Sequence, residues 1–262
     1  MQPELSFPAR LSERYRGHKL TDFIGLERPK AVLANFLQHP CLEAFLFVGP
    51  TGTGKTSMAL ALAELLPAEL NQIPSRSCDL DSIERAIAVC HRMPWGVPFH
   101  LLLIDEADQV SLAAQHRLLS CMDATAWPPN TIFIFTANGT SAFEDRFLSR
   151  LKVLPFNTEA ISRALPGYLR RIARREGYNG SVDIRRCIPE NGNVRDALNR
   201  LEMEALADGV VDLPPDRAWE PYTSRHPWRC VVCHRTIKPG TEFYVAGELG
   251  CHKACRVGGK DA

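Results

Sequence analysis

The chain has almost no net charge. Its 31 Lys and Arg face 30 Asp and Glu, which leaves +1 with neutral His over 262 residues. A global positive field is therefore excluded, and any nucleic-acid contact has to come from a local patch. No run of 18 apolar residues occurs, so no ordinary membrane-spanning helix and no membrane partner are expected. The opening MQPELSFPARLSERYRG lacks the apolar centre of a secretory signal, which predicts a cytoplasmic protein. Internal repeats and low-complexity tracts are missing too. So is any basic stretch interleaved with aromatics, and DNA recognition would then follow shape and backbone rather than base edges.

What is present is the composition of a globular protein, 45% hydrophobic and 23% charged, in a chain long enough for more than one domain. Residues 1–20 read as a polar arm. Helical apolar spacing marks 27–38, 54–66, 79–93 with an Asp cap, and 111–123 with a Ser cap. Between them lie short apolar runs at 44–49, 68–73, 100–105, 131–138 and 152–156, which read as strands. Strands alternating with helices predict a parallel sheet covered on both faces. From 158 to 207 only helical patterns follow. The Pro-rich stretch GVVDLPPDRAWEPYTSRHPW reads as a linker, and a cysteine-rich tail ends the sequence. The expected division is an α/β sheet domain over 1–156, a small helical domain over 157–208, a linker over 209–227 and a cysteine module over 228–262.

Gly49-Pro50-Thr51-Gly52-Thr53-Gly54-Lys55-Thr56 fits the phosphate-loop pattern G-x-x-x-x-G-K-[ST], between a predicted strand and a predicted helix. Its glycines let backbone N–H groups turn inward on phosphates, and the helix offers its positive end. Lys55 is placed to reach the β- and γ-phosphates of ATP, and Thr56 to ligate Mg²⁺. LLLIDEAD supplies the complement. Asp105, ending a buried strand, would hold the Mg²⁺ shell, and Glu106 would polarise the attacking water. Asp108 reads as a helix-start or structural acid.

With these motifs the chain resembles an AAA+ ATPase, and more narrowly the small subunits of sliding-clamp loaders of the replication factor C type. The resemblance spans about residues 10 to 206. Tyr15-Arg16, followed by Asp22-Phe23-Ile24-Gly25, is similar to the family's adenine-side motif, with Gly17 where the family usually has Pro. Asn138 falls at the sensor-1 position. Ser149-Arg150 falls at the Ser-Arg-Cys motif, with Leu151 in place of the Cys. Gly192-Asn193-Val194-Arg195-Asp196-Ala197-Leu198 is similar to the sensor-2 motif. The resemblance implies a P-loop AAA+ sheet domain with a helical lid and an ATP site made by Tyr15, Arg16, Ile24, residues 49–56 and Arg195. Asn138 and Arg195 would address the γ-phosphate. Arg150 would act on a neighbour's ATP, which implies homo- or hetero-oligomeric AAA+ neighbours.

Two features lie outside that core. Between Arg163 and Arg186 seven arginines face only Glu176 and Asp183. Arg170, Arg171, Arg174 and Arg175 share one broad helical face, readable as a phosphate contact or as a solvated surface. By resemblance, DNA would instead meet the stretch after Asn71, including Arg76 and Arg85. In the tail, Cys230-x₂-Cys233 and His252-x₂-Cys255 make a four-ligand pattern for structural Zn²⁺, similar to a treble-clef or LIM-like module. Cys251 competes with His252. The remaining cysteines (Cys41, Cys78, Cys90, Cys121, Cys187) read as buried small hydrophobes.

The leading expectation is an ATP-hydrolysing AAA+ ATPase of clamp-loader type, working with DNA and with a sliding clamp or another replication protein. Clamp-loader subunits continue after the lid into a helical collar. Here the Pro-rich stretch and the cysteine tail stand at that place. A helicase loader or mobile-element DNA-remodelling ATPase, and a non-hydrolysing nucleotide-dependent adaptor, therefore stay open.

Overall fold

The computed structural model describes residues 9–74, 79–178, 182–208, 220–223, 227–230, 235–246 and 249–252. They fall into two compact units, Met1–Gly177 with Asp183–Glu202, and Tyr178–Val182 with Met203–Ala262.

The first unit is built on a sheet of five strands: β1 (Glu43–Val48), β2 (Ala68–Ile73), β3 (Phe99–Ile104), β4 (Thr131–Ala137) and β5 (Lys152–Pro155). All neighbours are parallel, in the order β2-β3-β4-β1-β5. The helices are α1 (Leu11–Arg14), α2 (Glu27–Gln38), α3 (Lys55–Leu65), α4 (Leu80–Cys90), α5 (Leu112–Cys121), α6 (Asp145–Leu148), α7 (Thr158–Arg175) and α8 (Val194–Asp208). The period of two in the strands sorts the core into two layers. Leu46, Leu102, Ile104, Phe133 and Phe135 pack with Ile83 and Ile87 of α4 and Ala114 and Leu118 of α5. Phe45, Phe47, Leu101, Leu103, Ile132 and Ile134 pack on the other side with Leu33 and Phe36 of α2 and Met58 and Leu62 of α3. Continuous apolar runs such as TIFIF are what two covered faces require.

Caps set the helix starts. Asp79 accepts the Ser82 N–H at 2.8 Å, Ser111 the Ala114 N–H at 3.3 Å, and Asn157 the Glu159 N–H at 2.8 Å. Helix α4 stops at Cys90, three residues short of the expected end. The expected arm at 1–20 is not wholly polar. Residues 1–8 lie outside the described residues, but Leu11 of α1 is fully buried. Arg14 and Tyr15 beyond it bind Glu176 at the end of α7, the Tyr15 Oη donating to Oε1 at 2.6 Å. Cys90, Cys121 and Cys187 are buried as expected, whereas Cys41 is exposed and Cys78 lies outside the described residues.

In the second unit, β6 (Glu220–Thr223), β9 (Glu242–Ala246) and β10 (Leu249–His252) form an antiparallel sheet in the order β10-β9-β6. Strands β7 (Trp228–Arg229) and β8 (Thr236–Ile237) pair separately. The stretch expected as a linker therefore contains a strand. Pro221 is tolerated there because β6 is an edge, where a missing N–H costs no second ladder. Tyr222, Trp228 and Phe243 cluster with ring centroids 5.3–6.0 Å apart.

Candidate active site

Three adjacent strands deliver the polar groups. Strand β1 ends at Val48 and hands over to residues 49–54, β3 ends just before Asp105, and β4 just before Asn138. Between β1 and α3 the chain turns on Gly52 at φ +75° and Gly54 at φ +97°, values that L side chains rarely adopt. Helix α3 begins at Lys55 itself, so its free N–H groups border the loop.

The expected residues converge. Thr51, Gly52, Gly54, Lys55, Thr56, Asp105, Glu106, Asn138 and Arg195 line one cleft. Tyr15, Arg16, Ile24, Gly52, Thr53, Gly54 and Arg195 line a second, with Phe23 and Tyr168. Gly52, Gly54, Ser57 and Arg195 belong to both, so the two clefts join around the phosphate loop. Gly49 and Pro50 contribute carbonyls to the loop's interior. The Lys55 Nζ donates to both, at 2.9 Å for Pro50, and to Asn138 Oδ1 at 3.2 Å.

Lys55 is only 8% exposed. Burial pushes its ammonium below the ordinary lysine value. Asp108, Asp105 and Glu106 oppose that shift, and Arg195 adds to it. Thr56 Oγ1 donates to Asp105 Oδ1 at 2.7 Å, which places a hydroxyl and a carboxylate side by side at the loop. Asp108 accepts the Asn138 N–H at 3.3 Å.

Glu106 occupies the left-handed region at φ 51°, unusual for a residue with a Cβ. Its N–H donates to Thr136 Oγ1 at 3.0 Å, while that hydroxyl donates to Asp105 Oδ1 at 2.6 Å. Thr136 thus fixes both acids. Sequence reasoning missed it. The available signal was a hydroxyl two residues before Asn138, at the end of the apolar run IFIF. Asn193 was also missed as a packing residue. Its Oδ1 accepts the Asp196 N–H at 2.9 Å, and its side chain lies against the α-carbon of Gly52. The Gly52 carbonyl accepts the N–H groups of Val194 at 2.9 Å and Arg195 at 3.4 Å.

In the second cleft, Tyr15 stands with its ring 5.9 Å from the Arg175 guanidinium. Desolvation first, then its hydrogen bond to Glu176, raise the Tyr15 phenol to about 12. Arg150 is not brought into either cleft. It pairs with Asp123 at 2.7 Å and is 37% exposed. Arg146 is held by Glu144 and His116. Met93 and Trp95, in the loop after α4, were not singled out from the sequence, yet they are 83% and 92% exposed.

Of the expected zinc ligands, Cys233 and Cys255 lie outside the described residues, as does the side chain of His252. Cys230 is fully buried. Among the described residues no group of three or more His, Cys, Asp or Glu is arranged to hold a metal. Arg76 lies outside the described residues, and Arg85 donates to Ser82 Oγ at 2.9 Å on α4. No helix among the described residues is long and apolar enough to cross a membrane.

Comparison with known proteins agrees with this geometry. The profile of the AAA family (ATPase family associated with various cellular activities) matches residues 45–157. Replication factor C small subunit 1 of Pyrobaculum arsenaticum is 35% identical over 211 residues, which cover 76% of this chain and 63% of the relative. The replication factor C small subunit of Picrophilus torridus is 32% identical, covering 80% of this chain and 67% of the relative. Among solved structures, the Thermotoga maritima RuvB Holliday junction branch migration motor superposes with a TM-score of 0.56 at 16% identity, covering 76% of this chain and 74% of that one, which speaks for the fold. The chain thus spans roughly two thirds of the length of the curated relatives it matches. It belongs to the replication factor C small-subunit family of AAA ATPases.

Proposed function

We propose that the chain is an ATP-hydrolysing, clamp-loader-type AAA+ ATPase acting in DNA replication or a related DNA transaction in the cytoplasm. One observation carries the reading: Lys55, Thr56, Asp105, Glu106, Asn138 and Arg195 all line a single cleft that joins a second one lined by Tyr15, Ile24 and Tyr168.

Each residue then has a role its surroundings suit. Lys55, with its Nζ at the loop's centre, exchanges the Gly49 and Pro50 carbonyls for β- and γ-phosphate oxygens. The Thr56 hydroxyl and Asp105 carboxylate form a hard-oxygen pair that fits Mg²⁺, whose charge would neutralise the phosphates. Glu106, its backbone pinned by Thr136, holds a water for attack and takes its proton. Asn138 orients that water or the γ-phosphate. Arg195 reaches the γ-phosphate from the start of α8, whose backbone already touches Gly52. Arg150 lies outside its own clefts, which suits action on a neighbouring subunit's ATP.

Residues 157–208 would serve as the lid, 209–227 as the linker and 228–262 as a zinc module. There Cys230, Cys233, His252 and Cys255 offer three thiolates and an imidazole, a set that suits tetrahedral Zn²⁺, with Cys251 as the alternative to His252. A protein partner such as a sliding clamp is supported by Met93 and Trp95. Two large apolar side chains this exposed on one loop have the chemistry of interface anchors.

The deciding experiment is the Glu106→Gln variant. ATP should still bind while turnover drops at least a hundredfold. Wild-type turnover in the variant would remove the assignment. Stimulation of the native chain by primed DNA together with a clamp supports loading, and stimulation by DNA alone supports remodelling.

A further inference from the structure

We propose that Arg163, Arg170 and Arg174 of α7, with Gly167 between them, form a docking strip for the phosphodiester backbone of a nucleic acid. The proposal rests on the DNA reading above and locates the contact on the chain.

The three arginines make one narrow stripe. At about 100° per residue they fall within roughly 40° of one another, spread over about 16 Å of helix. All three are exposed. Among the described residues none of their side chains makes an ion pair or a hydrogen bond. Acids of the same unit pair with other arginines: Glu176, just after α7, with Arg14, Asp183 with Arg186, and Asp196 with Arg200. The stripe contains one acid, Glu159, a turn before Arg163. Arg171 and Arg175 behave differently. They sit on the flank, over the rings of Tyr168 and Tyr15 at 5.8 and 5.9 Å. All five arginines are exposed, but two of them are engaged with aromatic rings and three are left without such a partner.

Gly167 is the second, independent observation. It lies on the same stripe, in the middle of an 18-residue helix. A Cβ placed there would meet nothing within 4 Å, so packing does not require glycine. Its φ is not in the left-handed region, so the backbone does not require it either. Glycine nonetheless weakens a helix, and its neighbour Pro166 removes one N–H from the ladder. A bare backbone is useful where a ligand must lie close. Between the guanidinium groups nothing projects, so an extended row of phosphates can rest against α7. A nucleic acid fits better than an acidic peptide because its charge is regular and dense, one per about 1.7 Å of duplex axis. Neither nucleotide cleft is lined by any of the three arginines, so the strip can be tested apart from hydrolysis.

The test uses the full chain with a non-hydrolysable ATP analogue and labelled primed DNA, followed by anisotropy at several salt concentrations. Each single Arg→Ala change should reduce the slope of log K against log salt by about 1, and the triple change by about 2.7. The triple variant should bind at least 30-fold more weakly at 50 mM salt. Arg→Lys at all three positions should restore the slope. Gly167→Gln should raise the melting temperature yet weaken DNA binding several-fold, a combination that a merely structural glycine would not give. Basal ATP turnover without DNA should not change in any of these variants. A triple variant with wild-type affinity and slope overturns the strip while leaving DNA binding intact. A wild-type chain that binds no DNA at 50 mM salt overturns the DNA reading and the strip with it. Polyglutamate that competes as well as DNA at equal charge overturns the assignment to nucleic acid.

Discussion

The carbonyl oxygen of Gly52 accepts the Val194 N–H at 2.9 Å, so the phosphate loop and the start of α8 share a hydrogen bond. The contact has no slack. A Cβ on residue 52 would fall 1.8 Å from Asn193 Oδ1, and φ there is +75°. Gly52→Ala should therefore cost about 1–3 kcal/mol of stability and weaken ATP binding tenfold or more. Asn193→Ala alone should cost about 1 kcal/mol through the lost cap. Thermal melts and nucleotide titrations of the two single variants and the double variant should reveal coupling, with the second change recovering part of the clash. Additive effects would contradict the contact.

Thr136 should matter more than its place in an apolar strand suggests. Thr136→Val leaves the Glu106 N–H without its acceptor and takes from Asp105 Oδ1 one of its two hydroxyl donors, Thr56 being the other. A loss of about 1–3 kcal/mol in stability is expected, with turnover at least tenfold lower. Thr136→Ser should restore both, and urea unfolding alongside steady-state kinetics decides the matter.

Arg150 should be dispensable for ATP binding and needed for a neighbour's turnover. Its ion pair with Asp123 is exposed and is worth at most about 1 kcal/mol, so Arg150→Ala should melt close to wild type. A mixture of Arg150→Ala and Glu106→Gln chains should regain activity that neither has alone. No recovery at any mixing ratio would argue against action between subunits.

Lys55 gives a pH dependence of defined sign. Burial lowers its pKa in the folded chain below the ordinary lysine value of 10.5. Between the lowered value and 10.5 the unfolded chain binds more protons, so this residue's contribution to stability rises with pH through that window and stays constant, at its least favourable, below it. Phosphate favours the charged form, so ATP binding in the same window should take up a proton and weaken as pH rises. Calorimetry in buffers of different ionisation enthalpy measures that uptake, which should vanish in Lys55→Met.

The tail should contain one zinc per chain. Removing the metal with a strong chelator should unfold residues 228–262 and leave basal ATP turnover intact. Metal content near zero in the native chain, or identical proteolysis of the tail with and without chelator, would count against the module.

Much of the fold can be read directly from the sequence because its signals are local. The strands at 44–49, 100–105 and 131–138 are apolar on both faces, and Asp79 and Ser111 mark helix starts by their own chemistry. The phosphate loop and acidic pair are legible because consecutive residues do consecutive jobs. What was missed depends on contacts between distant residues. Threonine is a common strand former, so nothing beside Thr136 announces that it serves two acids from the next strand. Asn193 matters only because Gly52, 141 residues earlier, leaves room for it. Leu11 is a single apolar residue in a four-residue helix, too short to show a period. Pro221 made an edge strand look like a linker, since proline is compatible with both.

The order β2-β3-β4-β1-β5 has a consequence for how the protein fails. Asp105, Asn138 and the phosphate loop all leave from the three inner strands, the part of a sheet expected to open last. The outer strands β2 and β5 can fray while these groups keep their spacing. Amide exchange should therefore be slowest in the strands that feed the site. Loss of nucleotide binding on heating should then coincide with global unfolding and not precede it.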